Sequence, residues 1–544
     1  MLDSTTNRGE QCWLSVCGEP EHDHHQSVVT DINMPPVKLP MTITESFVHK
    51  FAHIVKARSK ACIRKLPRAA RIGLPVYLQQ IQNMQREADS YYEILTTLPI
   101  QVSADISYAV FRNIINTIAK YDSKYKSLKR RDFSAYDEQY NTACINIVRS
   151  VLCPSISYYD TTQMLSSFAQ KLVIETLDSL NNLSSLIFDT ETEIDHSALL
   201  ANNIHHLRKL ETFKYKFHCS DTVVEELGLH CSELKVISLS NSRAVTNVSV
   251  SHLLRLKKLQ YVNVSKTSIS CELYQLLLIN LPEIENINCR DLHENVLGNI
   301  ATESLHTVTN YRGPIINTDN LIQKCSNITS IILYEVNEDV SKLSALNSLK
   351  SLDITGGNYE TSNLNMFLKD RGLKLCELHL HNVLKVNTSH IIKYCSALLS
   401  LSLEECIFEP SGKHAVFDRA TPHYKSTQIL NLTEAVGHEV HFEHLIHYVN
   451  LVKLYSKGAR IINDHSIHKA IKLGGLGNLE EFRVEETRFG ALTVKTAKRL
   501  IRHCKNLTIL GYLECWTKVN ERQIRQLKHK TEKKKLDLQI LTHT

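Results

Sequence analysis

An apolar triplet, with its second member three residues after the first and its third two residues later, recurs four times between Leu207 and Cys289. It reads Leu210, Phe213, Tyr215; Leu234, Ile237, Leu239; Leu259, Val262, Val264; and Ile284, Ile287, Cys289. Its first positions return after 24, 25 and 25 residues. The second and third members flank one residue, the alternation of a strand that buries one face. So short a strand cannot bury that face alone, and neither can the segment leading to the next. Neighbouring copies must stack into a one-dimensional array with one continuous core.

A period of ~20–29 residues carrying this triplet is that of a leucine-rich repeat. The fold class expected is α/β: a leucine-rich-repeat solenoid, or horseshoe, with mostly helical return segments and a helical N-terminal region. Further triplets are Leu183, Leu186, Phe188 upstream, and Leu305, Val308, Asn310 downstream. Then come Ile328, Ile331, Leu333; Leu349, Leu352, Ile354; Leu375, Leu378, Leu380; and Leu398, Leu401, Leu403. After a charged insertion follow Thr427, Leu430, Leu432; Leu451, Leu454, Ser456; Leu479, Phe482, Val484; and Leu507, Leu510, Tyr512.

In four repeats a cysteine stands three residues before the first triplet position: Cys231, Cys325, Cys395 and Cys504. The local text reads H-C-S-E-L, K-C-S-N-I, Y-C-S-A-L and H-C-K-N-L. This resembles the cysteine-containing class of leucine-rich repeats, best known from substrate-binding domains of ubiquitin-ligase receptors. A small apolar thiol suits the tight end of a return helix. Thiols one repeat apart stack along the array and do not converge on a metal ion.

Five regions follow from composition and periodicity. Residues 1–40 read as a polar disordered tail; its Glu21–His25 run could bind metal, although a flexible tail explains it as well. Residues 41–90 form a helical box region, and 91–180 a helical cap in which a degenerate repeat could hide near Ile156–Tyr159. Residues 181–515 are the repeats, and 516–544 a basic cap or tail around Lys528–Lys535, which could alternatively serve nuclear import or an acidic partner. The first 20 residues hold no apolar run long enough for a secretory leader, and no window of ~18 apolar residues spans a membrane. A cytoplasmic location, with the nucleus open, and reduced cysteines are expected. The net charge of +6 on 544 residues gives no general affinity for nucleic acid.

Ser46, Phe47, Phe51, Ile54 and Val55 make an apolar face at helical spacing. The segment Ser46–Val55 resembles the elongin-binding box of cullin-RING substrate receptors, with Phe51 where Cys is usual. Leu74, Pro75, Leu78 and Ile81 resemble the downstream cullin-selecting box. The resemblance implies a substrate receptor whose partners are elongin B/C, a cullin and an unidentified target protein. Three alternatives stay open: a scaffold with no ligase link, an F-box beginning at Leu98-Pro99, and nucleic-acid binding through the basic run Lys56–Arg71.

No P-loop, GxGxxG, HExxH or CxxC occurs, so no catalytic residue, cofactor, metal or small-molecule substrate is assigned. The residues between and after the leucines should face the concave side. These are Lys214, Lys216, Ser238, Tyr261, Asn263, Asn288, Arg290, Tyr334, His379, His381, Glu404, Tyr455 and Arg483. Such Tyr, Arg, His and Asn side chains are what a protein-binding surface favours.

Overall fold

The apolar triplets become short strands that bury one face against helical return segments. The computed structural model describes residues 137–541 apart from 153–155, 161–165, 190, 192–193, 290–295, 299, 302–304, 315–316, 337, 410–425, 437–449, 459–460, 473, 486–491, 517 and 535. Upstream it describes 65, 79–80, 82–86, 89–90, 111–112 and 114–119. All belong to one compact unit, residues 52–544.

The series opens with β1 (Tyr158–Asp160), β2 (Ser185–Phe188), β3 (Thr212–Tyr215), β4 (Val236–Ser238), β5 (Tyr261–Asn263) and β6 (Asn286–Asn288). It continues with β7 (Asn310–Gly313), β8 (Ser330–Val336), β9 (Ser351–Gly357), β10 (Glu377–His381) and β11 (Ser400–Glu404). It closes with β12 (Ile429–Thr433), β13 (Lys453–Lys457), β14 (Glu481–Glu485), β15 (Ile509–Gly511) and β16 (Gln539–Ile540). Among the described residues these form one sheet of 16 strands in chain order. Each strand pairs parallel with the next, as between β1 and β2, β8 and β9, and β15 and β16. The chain is a leucine-rich-repeat solenoid.

The register explains why the triplet recurs. Phe213 pairs with Ile237, Ile237 with Val262, and Val262 with Ile287. All four are buried. One apolar row thus runs through consecutive repeats, and each side chain completes its burial against the next copy. Fully burying such a side chain contributes roughly 1.5–3 kcal/mol.

Four return segments, the helices Asp221–His230, Thr318–Lys324, Thr388–Tyr394 and Val494–His503, end on Cys231, Cys325, Cys395 and Cys504 as C-caps. The Cys231 N–H donates to the Leu227 carbonyl, and its thiol to Leu207 one repeat earlier at 3.4 Å. The Cys504 thiol does the same to Leu476 at 3.0 Å. A thiol is small enough for this buried corner and still satisfies a carbonyl there.

The repeat read as Leu305, Val308, Asn310 is shifted by three residues. Tyr311 pairs with Ile287 on one side and Ile331 on the other, and Gly313 pairs with Leu333. The triplet is therefore Val308, Tyr311, Gly313. A Cβ at Gly313 would sit 2.3 Å from Cys289 Sγ, so any larger residue would require that thiol to move. The Tyr311 ring fills the slot left by its neighbour, with its hydroxyl donating to the Pro314 carbonyl at 2.7 Å.

The ladder runs past the triplets at both ends. Upstream, β1 carries the buried Tyr159, in the stretch suspected of hiding a repeat. Downstream, the basic run from Lys528 to Lys533 lies on the helix Glu521–Lys533, begun by an Asn520–Gln523 capping box and burying Ile524, Leu527 and Thr531. Trp516 anchors this end. It is fully buried, donates from Nε1 to the Val484 carbonyl at 2.8 Å and meets the Phe482 ring edge-on.

Candidate recognition face on the open side of the sheet

On every strand the residue between the second and third core positions faces away from the return helices. The register lines these residues up across the sheet. Lys214 pairs with Ser238, and Ser238 with Asn263. Further on, Asn288 pairs with Arg312, Arg312 with Ile332, and Ile332 with Asp353. Asp353 then pairs with His379, His379 with Ser402, Ser402 with Asn431, Asn431 with Tyr455, and Tyr455 with Arg483.

Five residues expected on the exposed surface are buried: Lys216, Ser238, Tyr261, Asn263 and Asn288. Lys216 pairs with Asp189. Asn263 Oδ1 accepts from the Ser265 N–H at 3.0 Å and the Ser265 hydroxyl at 2.6 Å, which fixes the turn after β5. Asn288 Nδ2 donates to the Tyr261 hydroxyl at 3.4 Å. Polar atoms committed in this way hold the repeat together. Lys214 is half-buried, and Arg290 lies outside the described residues. So do Ser46, Phe47, Phe51, Ile54, Val55, Leu74, Pro75, Leu78 and Ile81, as well as the Glu21–His25 run.

Tyr334, His379, His381, Tyr455 and Arg483 are half-exposed on the open face. Glu404, also expected there, is half-exposed beside them, and the structure adds Arg312, Asp353, Asn431 and Glu481. Arg312 stacks on the Tyr334 ring, its carbon 5.6 Å from the centroid, and its Nε donates to the Tyr334 hydroxyl. Asp353 Oδ2 lies 3.9 Å from His379 Nδ1, and Glu405 Oε2 lies 3.6 Å from His381 Nε2. Burial raises the Asp353 carboxyl above its ordinary value; the Glu404 charge adds to this, and His379 opposes it.

Glu404 Oε1 accepts from Ser402 Oγ at 2.8 Å and Asn431 Nδ2 at 2.6 Å. Thr433 in turn holds Asn431 Oδ1 at 3.0 Å. On β13 and β14, Glu481 is the hub. Lys453 and Arg483 each pair with it at 2.9 Å, and the Tyr455 hydroxyl donates to it at 2.9 Å. Burial would raise this carboxyl, but the Lys453 and Tyr455 hydrogen bonds and the two cationic charges outweigh that and hold it below its ordinary value. Arg483 also lies over the Tyr455 ring, 5.5 Å from the centroid. The result is a polar surface whose side chains are held by one another.

Sequence reasoning missed Arg312 because its repeat was read three residues out of register. Asp353 and Asn431 occupy the same slot as His379 and Tyr455, so the triplet spacing alone could have found them. Glu481 needed the fold, since its role depends on partners from β13.

The repeat cysteines form no site. Burial pushes the Cys231, Cys325, Cys395 and Cys504 thiols up to about 12, which disfavours the nucleophilic thiolate at neutral pH. Among the described residues no group of His, Cys, Asp and Glu could hold a metal ion. No described helix is long and apolar enough to cross a membrane.

No protein-family model and no curated protein matches the chain. Solved structures similar to it are repeat proteins of low identity. The Rad7–Elc1 complex in yeast is 16% identical, with TM-score 0.38, covering 76% of this chain and 89% of that one. An internalin, InlF, of Listeria monocytogenes is 13% identical, with TM-score 0.36, covering 63% and 89%. A leucine-rich-repeat protein of Leptospira interrogans is 13% identical, with TM-score 0.33, covering 66% and 91%. Likenesses this distant carry no argument about what this chain binds.

Proposed function

We propose that the chain is the substrate-recognition subunit of a cullin-RING ubiquitin ligase. The open strand face would take the target protein, and the segment 46–81 would take elongin and a cullin. What supports the recognition part is one observation: the row Asp353, His379, Asn431, Tyr455, Arg483 is half-exposed, with Asn431 held by Glu404, Tyr455 and Arg483 held by Glu481, and Arg483 stacked on Tyr455. A face ordered in advance loses less side-chain entropy on binding. Its Tyr and Arg are residue types that dominate binding energy in protein interfaces. The ligase part rests on the sequence of the two boxes and on the cysteine-containing repeats. The chain's contribution would be proximity, holding a target beside the ubiquitin-carrying enzyme.

Two measurements test the parts separately. Benzoylphenylalanine placed at His379, His381 or Tyr455 of the full chain should cross-link one and the same protein. Placed at Leu373, 66% exposed on the return side, it should not. Equal capture from Leu373 would sink the open-face reading. Purified elongin B/C should bind the chain and be lost with Phe47→Asp combined with Val55→Asp. If elongin binds neither form, the scaffold reading replaces the ligase one.

A further inference from the structure

The open face between β9 and β14 is divided by charge. Strands β9 to β11 carry Asp353, Glu377 and Glu404 facing away from the return helices, and no Lys or Arg. The neighbours of these carboxylates are His379, Ser402 and Asn431, and the Arg312 charge on β7 also acts on Asp353. On β12 the corresponding residues, Ile429, Asn431 and Thr433, are uncharged. Beyond it β13 and β14 carry three cations, Lys453, Lys457 and Arg483, against Glu481 and Glu485 at the outward positions. Arg483 is 29% exposed, with its plane set by the Tyr455 ring and one end held by Glu481. The guanidinium is thus fixed in place with part of its edge still open.

Strands in a sheet are spaced ~4.8 Å apart, so β10 and β14 stand roughly 19 Å apart. That is beyond the reach of a small metabolite, but an extended chain covers it in about six residues. We propose that this face takes an extended segment of a partner protein laid across the strands, with a Lys or Arg over Asp353 and Glu404 and an Asp or Glu over Arg483, about six residues further along. The inference rests on the open-face reading above and names the chemistry of the partner. Charges of opposite sign at two fixed points set which partners are rejected as well as which are held, because either like-charge contact repels. A nucleic-acid strand is disfavoured, since its uniform negative charge would lie along the carboxylates.

The test is selection of a random dodecapeptide phage library on the intact full-length chain. The same selection is run on Asp353→Asn combined with Glu404→Gln, on Arg483→Ala and on Tyr455→Ala, each checked by circular dichroism. The intact chain should enrich peptides with a basic and an acidic residue five to seven positions apart. The double carboxylate variant should lose only the basic preference, and Arg483→Ala only the acidic one. The best peptide should lose at least tenfold in affinity on either variant, by fluorescence polarisation. Enriched peptides without the charge pair that are nevertheless lost on Tyr455→Ala would overturn the inference and leave the open-face reading standing. Peptides bound equally by all four chains would overturn both. No enrichment would overturn the inference alone, because cross-linking decides the broader reading.

Discussion

Asp464, the first residue of its return helix, accepts a hydrogen bond at 2.9 Å from the backbone N–H of Thr493, the N-cap of the next return helix. The same carboxylate takes the Thr493 hydroxyl at 2.6 Å and the Thr496 hydroxyl. The arrangement recurs far upstream. Asp221 takes the Thr246 N–H at 2.8 Å, the Thr246 hydroxyl at 2.7 Å and the Ser249 hydroxyl. Each carboxylate thus sits in the first turn of its own helix, where the dipole favours it, and ties down the start of the next repeat.

Removing such a tie leaves donors unsatisfied. Asp464→Ala should cost about 1–3 kcal/mol, and Asp464→Asn, which keeps one acceptor oxygen, less. A lower urea midpoint at unchanged slope would show this. No change in midpoint would mean that water replaces the carboxylate without cost.

The Asp221 junction should also be felt in acid. Burial would raise its carboxyl, but hydrogen bonds from Ser249 and Thr246 outweigh this and hold it below the ordinary 3.8. A carboxyl that is more acidic when folded gives stability that is full above the unfolded value and is lost as pH falls through the folded one. Between about pH 5 and about pH 2 the intact chain should therefore lose more melting temperature than Asp221→Asn. Parallel curves for the two proteins would rule out this role.

Gly313 and Cys289 form a coupled pair. Gly313→Ala drives a methyl to 2.3 Å from Cys289 Sγ and should destabilise by roughly 1–3 kcal/mol through overpacking. Cys289→Ala creates room for it. The double variant should be more stable than the sum of the single effects allows, and strict additivity would show that no clash exists.

The array itself was legible because burial of the triplets is periodic and needs no knowledge of the third dimension. Leu234, Ile237 and Leu239 say almost everything about their repeat. The open face was less so. Asn263 and Tyr455 sit at comparable places in their triplets, yet one is sealed within its turn and the other stands half-exposed over Glu481. What separates them is the company of neighbouring strands, which spacing does not encode. The Val308, Tyr311, Gly313 repeat was misread because its core slots are filled by an aromatic ring and a glycine.

Thiol reactivity should sort the cysteines by position. Cys231, Cys325, Cys395 and Cys504 are buried C-caps, whereas Cys376 is partly exposed. In the folded chain iodoacetamide should modify Cys376 well before the other four, as read by peptide mass mapping. Early labelling of Cys395 would show that its return helix opens locally.

Each strand of this sheet is bonded only to the one before and the one after. News of a change therefore has to pass from neighbour to neighbour, and it fades within a few steps. Grafting a foreign loop near Tyr158 or trimming the last strand should leave the pose of Arg483 over Tyr455 undisturbed. The stretch between β9 and β14 is in that sense a cassette: it could be swapped between arrays of the same period, carrying its preferences with it.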